Sequence, residues 1–240
     1  MFEYDRFDVF QRTIMLLGKE NFEKLKNKKI TIIGLGGVGS FCLEALARCG
    51  IENFVLIDKD IVSISNLNRQ LIATIKTLGQ SKVEVAYNRI MDINPNINAI
   101  KIPIQISQDN ITSIPVDTDY IVDAIDDVKA KIAIINYAFK HNIKIISCMG
   151  TGNRLDPLKF RITDIYKTHN CPLAKKVRIE LRKIGIKKLK VLFSEELPKV
   201  PDYKFQKDMQ KKHLPASISF VPPVAGMILA KQVVCDLLDI

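Results

Sequence analysis

The chain has 240 residues, 47% of them hydrophobic, which is enough for one substantial α/β core or for a core with a small appendage. Its formal net charge of +10 favours polyanionic partners and implies no sequence specificity. The first residues mix charged with apolar side chains, and no apolar run reaches the ~18 residues of a membrane span. We therefore expect neither a signal peptide nor a membrane anchor, and a cytoplasmic location.

The first predicted elements form one βαβ unit. An amphipathic entry helix is expected from Val9 to Leu25. A β-branched run from Lys29 to Gly34 predicts a buried parallel strand that ends in glycines. A helix from Val38 to Cys49 and a strand from Phe54 to Asp58 follow it.

The alternation of helices and strands continues to about residue 150. The expected elements are a helix from Ser81 to Ile93, strands from Ala99 to Pro103 and from Tyr120 to Ala124, a helix from Val128 to His141, and a strand from Lys144 to Cys148. This order predicts an α/β fold, a Rossmann-like doubly wound and mostly parallel sheet that binds ligands at the carboxyl ends of its strands.

Beyond Gly150 the pattern predicts a C-terminal α/β extension. Its expected elements are a strand from Phe160 to Asp164, a helix from Pro172 to Ile184, a strand from Lys190 to Ser194, and a helix from Pro222 to Leu238. The polar, lysine-rich segment from Pro198 to Pro215 is expected to be a mobile crossing loop. We predict a single domain over 1–240, with a nucleotide-binding core at 1–150 and an extension at 151–240 for substrate and dimer contacts.

The five cysteines are scattered along the chain, without a CxxC pair or clustered histidines. Neither a disulfide framework nor a structural zinc site is therefore expected, and a reducing compartment suits such a chain.

A glycine-rich turn follows the first predicted strand. Gly34, Gly36, Gly37 and Gly39 fit the pattern GxGxxG between a strand and a helix. Glycine lets the backbone turn tightly and brings amide hydrogens at the helix N-terminus close to phosphate oxygens. Asp58 ends the next strand, where a carboxylate can bind ribose hydroxyls. These residues indicate a nucleotide without saying which, and on them alone a dehydrogenase is the commonest interpretation.

Further polar residues follow strand ends or begin helices, and they suit a triphosphate. They are Asp60, Asn66, Asn68, Arg69, Lys82 and Asp126. Cleaving a triphosphate requires cations on its oxygens and a carboxylate for magnesium, whereas hydride transfer does not. Each residue also has a plain structural interpretation: Arg69 as a solvated loop residue, Lys82 as a helix-face lysine, and Asp126 as a helix cap.

The motifs GLGGVG, LID-D, SN-x-NRQ, GQSK and DAID resemble, in this order, those of the adenylyltransferases that activate sulfur-carrier and ubiquitin-like proteins. Within this superfamily the chain looks most like the tRNA threonylcarbamoyladenosine dehydratases. The specific motifs of that branch are PLAKKVR, from Pro172 to Arg178, and SISFVPPVAG, from Ser217 to Gly226. The resemblance covers nearly the whole chain.

The resemblance implies that ATP adenylates a carboxylate on tRNA, next to the anticodon, and that the activated side chain then cyclises and releases AMP. Gly36 and its neighbours would hold the phosphates and Asp58 the ribose, while Arg69 and Lys82 would stabilise charge and Asp126 would position Mg2+. Arg12 would reach into the site of a partner subunit, which implies a homodimer. The resemblance also raises two further expectations, a monovalent cation (Na+ or K+) around residues 150–156 and a sulfur-transfer protein as a partner.

Cys171 departs from the branch, which usually has Asp at this position. The thiol is either a nucleophile, as in thioester-forming relatives, or a substituted helix cap, and we favour the cap because His169 is the only histidine nearby in the sequence. A carrier-protein adenylyltransferase is the alternative function, although such enzymes usually carry two CxxC pairs. A nicotinamide-dependent oxidoreductase is a third possibility, which leaves Arg69, Lys82 and Asp126 without a role.

Basic residues concentrate in the C-terminal extension. They are Lys175, Lys176, Arg178, Arg182, Lys183, Lys187, Lys188 and Lys190, followed by Lys204, Lys207, Lys211 and Lys212. Such a density of charge is either a solvated surface or a site for the tRNA backbone, and its place outside the nucleotide core favours tRNA.

Overall fold

The structure is a computed structural model that describes residues 6–206 and 214–240. The strands are β1 (Lys29–Ile33), β2 (Asn53–Ile57), β3 (Asn98–Ile102), β4 (Tyr120–Asp123), β5 (Lys144–Cys148), β6 (Phe160–Asp164) and β7 (Lys190–Ser194). The α-helices are α1 (Arg6–Leu17), α2 (Lys19–Lys26), α3 (Gly39–Arg48), α4 (Lys82–Ile93), α5 (Val128–Lys140), α6 (Pro172–Lys183) and α7 (Val221–Leu238).

The strands form one sheet in the order β3-β2-β1-β4-β5-β7-β6. All neighbouring pairs are parallel except β6 with β7. The predicted Rossmann-like, mostly parallel sheet is therefore confirmed. The chain winds outward in both directions from β1 and β4, and in such sheets the crevice at this switch point binds the ligand.

Helices cover both faces of the sheet. Residues of α3, α4 and α7 belong to one apolar core on one face. Residues of α5 and α6 belong to the two cores on the other face. The central strands are buried on both sides, which explains why their sequences are continuous β-branched runs instead of alternating ones.

The C-terminal extension continues the same sheet, because β7 pairs with β5. The division of the chain at residue 150 stays a prediction. The expected crossing loop is described as far as Gln206 and again from Leu214, with a short 3-10 helix at Tyr203–Phe205. Its mobility is not tested, and Lys207, Lys211 and Lys212 lie outside the described residues.

The single entry helix predicted from Val9 to Leu25 is wrong. Two helices, α1 and α2, occupy this segment, and they meet at Gly18, whose φ is +80°. An α-helix cannot continue through a residue in this conformation, which glycine adopts without a steric penalty.

Helix α7 is long and apolar enough to cross a membrane by length and composition alone, with a mean hydropathy of 1.5 over 18 residues. In the fold it is a core helix, since Ala225, Leu229 and Val233 are fully buried. Asp236, near its C-terminus, accepts hydrogen bonds from the hydroxyl of Tyr120 and the ammonium of Lys190, both at 2.6 Å. Burial alone would raise the pKa of Asp236, but the hydrogen bonds from its partners hold this pKa below the usual value.

Candidate active site

A cleft of about 610 Å³ opens at the carboxyl ends of the central strands. The segments that follow β1, β2, β4 and β5 line it, together with the start of α6 and residues 215–217. Since parallel strands end at the same edge of the sheet, residues far apart in sequence meet here.

The glycine turn after β1 packs directly against β4. Gly34 has a φ of +92°, and a Cβ on it would lie 2.9 Å from the carbonyl oxygen of Ala124. A Cβ on Gly39 would lie 1.8 Å from the carbonyl oxygen of Gly34, so any side chain there would push α3 away from the turn. Gly36 and Gly37 line the cleft, whereas Gly39 serves the packing of α3 against the turn.

Asp58 connects the glycine turn to the end of β2. One carboxylate oxygen accepts a hydrogen bond from the backbone N–H of Leu35 at 2.6 Å, and the other accepts from the N–H of Asp60 at 2.8 Å. Asp58 lines the cleft, and each carboxylate oxygen retains a lone pair for another donor.

Lys82 begins α4 but does not face solvent as a helix-surface lysine would. Its side chain is 5% exposed, and its ammonium forms an ion pair with Asp60 at 2.9 Å. Both residues line the cleft. The ion pair with Asp60 holds the ammonium of Lys82 beside the cleft, whose lining also includes the glycine turn.

Arg69 is half-buried and also lines the cleft. One of its terminal nitrogens donates to the carbonyl oxygen of Ser65 at 2.7 Å and to the amide oxygen of Asn68 at 2.8 Å. Burial lowers the pKa of Arg69, because these partners are neutral and do not offset the loss of hydration. The position is unlike that of a solvated loop residue.

The two asparagines have different positions. Asn66 is buried, lines the cleft, and accepts a hydrogen bond from the N–H of Ser63 at 3.1 Å. Asn68 is exposed and donates to the carbonyl oxygen of Ser217 at 3.1 Å while it accepts from Arg69. Asn68 therefore orients Arg69 and joins its turn to the C-terminal extension.

Asp126 lines the cleft, and its neighbour caps the helix. Asp127 is the N-cap of α5, and its carboxylate accepts from the N–H of Ala130 at 2.7 Å. The capping interpretation of Asp126 is therefore excluded, and its carboxylate faces the same cleft as Lys82. Among the described residues, no group of three or more Asp, Glu, His or Cys side chains forms a ready-made metal site.

Arg12 is exposed on α1 and does not line the cleft of its own chain within the described ranges. Exposed apolar side chains lie near it on the same helix, with Met15 79% and Leu16 85% exposed.

Several residues of the site escaped the sequence analysis. Gln70 is 8% exposed and lines the cleft, and its amide oxygen accepts no hydrogen bond from the part of the chain that the structure describes. Lys131 is fully buried and pairs with Asp123 at 2.8 Å, and it also donates to Ser147 and to the carbonyl oxygen of Cys148. This network joins the carboxyl ends of β4 and β5. The only signal in the sequence was a lysine that follows the strand-ending Asp123 in the first turns of the next helix.

Cys171 is the N-cap of α6, and its sulfur accepts from the N–H of Ala174 at 3.5 Å. The ring of His169 packs edge-on against Phe193, with 5.2 Å between the ring centroids. The position suits the cap interpretation of Cys171. Burial raises the pKa of a second thiol of the cleft lining, Cys148, to about 12, which disfavours the thiolate form that acts as a nucleophile.

Comparisons with known proteins show what the chain is similar to in sequence and in fold. The profile of the ThiF family matches residues 10–235. The tRNA threonylcarbamoyladenosine dehydratase of Bacillus subtilis (strain 168) is 43% identical over 239 residues, covering 95% of this chain and 94% of that protein. The Escherichia coli tRNA N6-threonylcarbamoyladenosine dehydratase, solved in complex with AMP and with ATP, has TM-scores of 0.89 and 0.88 at 30% and 29% identity. Each of these alignments covers 100% of this chain and 98% of the other.

A more distant relative is the adenylyltransferase and sulfurtransferase UBA4 of Saccharomyces cerevisiae. It is 33% identical over 129 residues, which are 54% of this chain and 29% of UBA4.

Proposed function

The chain belongs to the ThiF family and, within it, to the tRNA threonylcarbamoyladenosine dehydratases, and from this premise we propose that it uses ATP to cyclise threonylcarbamoyladenosine in tRNA, next to the anticodon. The observation that carries the proposal is the convergence of Arg69, Lys82 and Asp126 with the glycine turn on one cleft. The resemblance to UBA4, which covers only part of the chain, leaves the activation of a sulfur-carrier protein as the weaker alternative.

The reaction has two steps. The carboxylate of the modified nucleoside attacks the α-phosphorus of ATP, an O–P bond forms, and the bond to the β-phosphate breaks with release of pyrophosphate. A carbamoyl atom of the same side chain then attacks the activated carbonyl carbon, loses its proton, and displaces AMP. The oxygen removed from the side chain leaves on AMP, so the overall change of the nucleoside is the loss of water.

The protein contributes charge and position. The backbone amides of Gly36 and Gly37 bind phosphate oxygens, and Asp58 binds the ribose hydroxyls. Arg69 and Lys82 stabilise the negative charge that builds on the phosphates during cleavage. Asp60 keeps Lys82 in place, and the half-buried position of Arg69 strengthens its interaction with an anion.

Asp126 would hold a magnesium ion bound together with the triphosphate. Mg2+ is commonly held by one or two carboxylates together with substrate phosphates and water, so the absence of a larger cluster of carboxylates from the described cleft is compatible with it. The ion supplies charge neutralisation on the triphosphate. The monovalent cation at residues 150–156 and the sulfur-transfer partner stay predictions.

A homodimer completes the site in this proposal. Arg12 lies on a helix with exposed Met15 and Leu16, and apolar side chains that are exposed together mark interaction surfaces. A second copy that covers them would bring its Arg12 to the triphosphate of the first, as an additional fixed cation.

The tRNA backbone lies along the exposed basic residues of the extension. The α6 basic surface consists of Lys175, Lys176, Arg182, Lys183, Lys187 and Lys188, all exposed. Two of the eight basic residues predicted between Lys175 and Lys190 are not part of this surface. Arg178 turns inward and donates to the carbonyl oxygen of Thr168 at 2.6 Å, and Lys190 pairs with Asp236. With tRNA as its substrate, the enzyme acts in the cytoplasm.

Pyrophosphate exchange into ATP tests the function. We expect exchange in the presence of tRNA that carries threonylcarbamoyladenosine, and little with the same tRNA lacking the modification. Exchange that responds only to a small ubiquitin-like protein would contradict the proposal and support the alternative. Mass spectrometry of the tRNA nucleosides after incubation should then show the cyclic product.

A further inference from the structure

The lining of the cleft extends beyond the residues assigned above to the nucleotide, and it divides into two parts by position in the fold. The first lobe, the nucleotide lobe, lies at the ends of β1, β2 and β4 and contains the glycine turn, Asp58 and Asp126. The second lobe, the acceptor lobe, is formed by residues 149–154 after β5, residues 171–173 at the start of α6, and residues 215–217. Met149, Cys171 and Leu173 form an apolar wall on one side of it, and Thr151, Asn153 and Ser217 are polar residues of the same lining.

Arg154 places a charge in the wall of the acceptor lobe. The residue is 3% exposed. Its guanidinium donates to two backbone carbonyl oxygens, those of Glu196 and, at 3.0 Å, Asn170. Its Nε–H is buried and has no hydrogen-bond partner among residues 6–206 and 214–240. Both groups that Arg154 contacts are neutral, so its charge is not compensated by them.

The two buried lysines of the site differ from Arg154, because each has a carboxylate partner; that of Lys82 is Asp60. Lys131 has the carboxylate of Asp123 at 2.8 Å. Glu196 meets Arg154 through its carbonyl oxygen, and its carboxylate accepts instead from the backbone N–H groups of Leu155 and Asp156 at 2.9–3.1 Å. A buried charge without a counter-charge costs several kcal/mol. A ligand carboxylate in the acceptor lobe would provide the missing charge.

The start of α6 reinforces the positive potential. This helix of 12 residues begins in the lining of the same lobe and has no acidic side chain in its first turn. Its N-cap is Cys171 and not an aspartate, so no carboxylate at the N-cap or in the first turn offsets the partial positive charge of the helix end.

We propose that the acceptor lobe binds the carboxylate of the modified nucleoside before activation, with Arg154 and the start of α6 supplying the charge that recognises it. The inference rests on the proposed function and identifies the residues that select its substrate. The apolar wall contacts the uncharged part of the same side chain. An ionised carboxylate is required both for binding and for the attack on ATP, so the lobe rejects nucleosides whose side chain lacks it.

The test compares Arg154→Gln and Arg154→Lys with the matched control Arg161→Gln. Arg161 also donates to backbone carbonyl oxygens, at 2.8 Å, but its side chain is 52% exposed on β6, outside the lobe. We expect Arg154→Gln to raise the KM for a modified anticodon stem-loop at least tenfold in pyrophosphate exchange, with the Kd for ATP changed less than twofold. Arg154→Lys should recover part of the loss, and Arg161→Gln should behave as the unaltered enzyme.

A second measurement starts from the unaltered enzyme. Two anticodon stem-loops, one with threonylcarbamoyladenosine and one with its carboxamide, are compared for binding to the unaltered enzyme at the same salt concentration. We expect the carboxamide to bind at least tenfold more weakly, and we expect Arg154→Gln to lose this preference. If Arg154→Gln does not fold, the binding of the two stem-loops to the unaltered enzyme still tests whether the site prefers the carboxylate.

The outcomes separate the two proposals. If the unaltered enzyme shows no exchange with the modified stem-loop, the proposed function is wrong. If exchange occurs but the two stem-loops bind equally well, or folded Arg154→Gln keeps its KM, the function stands and the assignment of the acceptor lobe is overturned.

Discussion

Asp126 and Asp127 follow β4 and are adjacent in the sequence, but they have different roles in the structure. Both residues line the cleft, but the carboxylate of Asp127 is bonded to the first turn of α5, whereas that of Asp126 has no hydrogen bond to another described residue. From the sequence alone either residue could cap the helix, because both lie close to its start. The backbone path after β4 decides which carboxylate is left for a ligand.

This pair gives a matched prediction. We expect Asp126→Asn to lower the rate of pyrophosphate exchange by about 100-fold or more, because a cleaved triphosphate loses its magnesium carboxylate, with no change in thermal stability. Asp127→Ala should lower the free energy of unfolding by about 1 kcal/mol through loss of the helix cap and retain most of the activity. Thermal unfolding and exchange assays on both proteins measure this. Loss of activity in Asp127→Ala together with loss of stability in Asp126→Asn would show that the two roles are exchanged.

The remaining site residues differ in whether a few neighbouring residues of the sequence are enough to recognise them. Gly36, Asp58 and Lys82 were predicted because each lies at the end of a strand or the start of a helix, in a motif visible over a few residues. Arg154 was not predicted, and Gln70 was noted only as part of the motif SN-x-NRQ without a role, because the significance of both depends on burial and on contacts elsewhere in the chain.

At the scale of elements, the packing of α7 on α3 depends on one glycine. A Cβ on Gly226 would lie 2.4 Å from the carbonyl oxygen of Val38 and 2.9 Å from the N–H nitrogen of Cys42. Both obstacles are backbone atoms of α3 or its N-cap, so they cannot move aside as a flexible side chain would. The contact also supports the glycine turn, since Val38 follows Gly37 directly.

We therefore expect Gly226→Ala to lower the free energy of unfolding by about 1–3 kcal/mol, because the two helices must separate. Met227→Ala is the control on the same helix, since Met227 is 45% exposed, and it should change this free energy by less than ~0.5 kcal/mol. Urea unfolding followed by circular dichroism measures both. Equal stability of the two variants would mean that α7 does not pack on α3 as described.

At the scale of the whole molecule, the site is proposed to be shared between two copies of the chain. We expect Arg12→Ala and Asp126→Asn each to be inactive, and a mixture of the two to recover about a quarter of the activity after subunit exchange. When equal amounts exchange subunits, half of the symmetric dimers contain one subunit of each variant, and each of these dimers has one intact site out of two. A mixture of Asp126→Asn with Lys82→Ala should recover nothing, because both changes lie in the same cleft. Recovery in both mixtures, or in neither, would contradict a shared site.

The α6 basic surface is the other property of the whole molecule. We expect Lys175→Glu, Lys176→Glu and Lys187→Glu together to weaken tRNA binding and to reduce the dependence of log K on log salt concentration, by about 1 for each phosphate that the protein no longer neutralises. Lys24→Glu and Lys231→Glu are the control, because these exposed lysines belong to α2 and α7, away from the helices that cover the α6 side of the sheet. Unchanged binding and salt dependence in the triple variant would remove α6 from the tRNA site.

By itself, the sequence determined the order of the elements, the Rossmann-like sheet and the glycine turn with its charged neighbours. These features follow from hydrophobic periodicity, from β-branched runs and from glycines at strand ends, all of which act over a few residues. The tertiary structure alone decided that the entry segment breaks at Gly18, that Asp127 and not Asp126 caps α5, and that Arg154 lies buried in a second lobe. Burial and hydrogen-bond partners arise from contacts between distant parts of the chain, and a local pattern does not contain them.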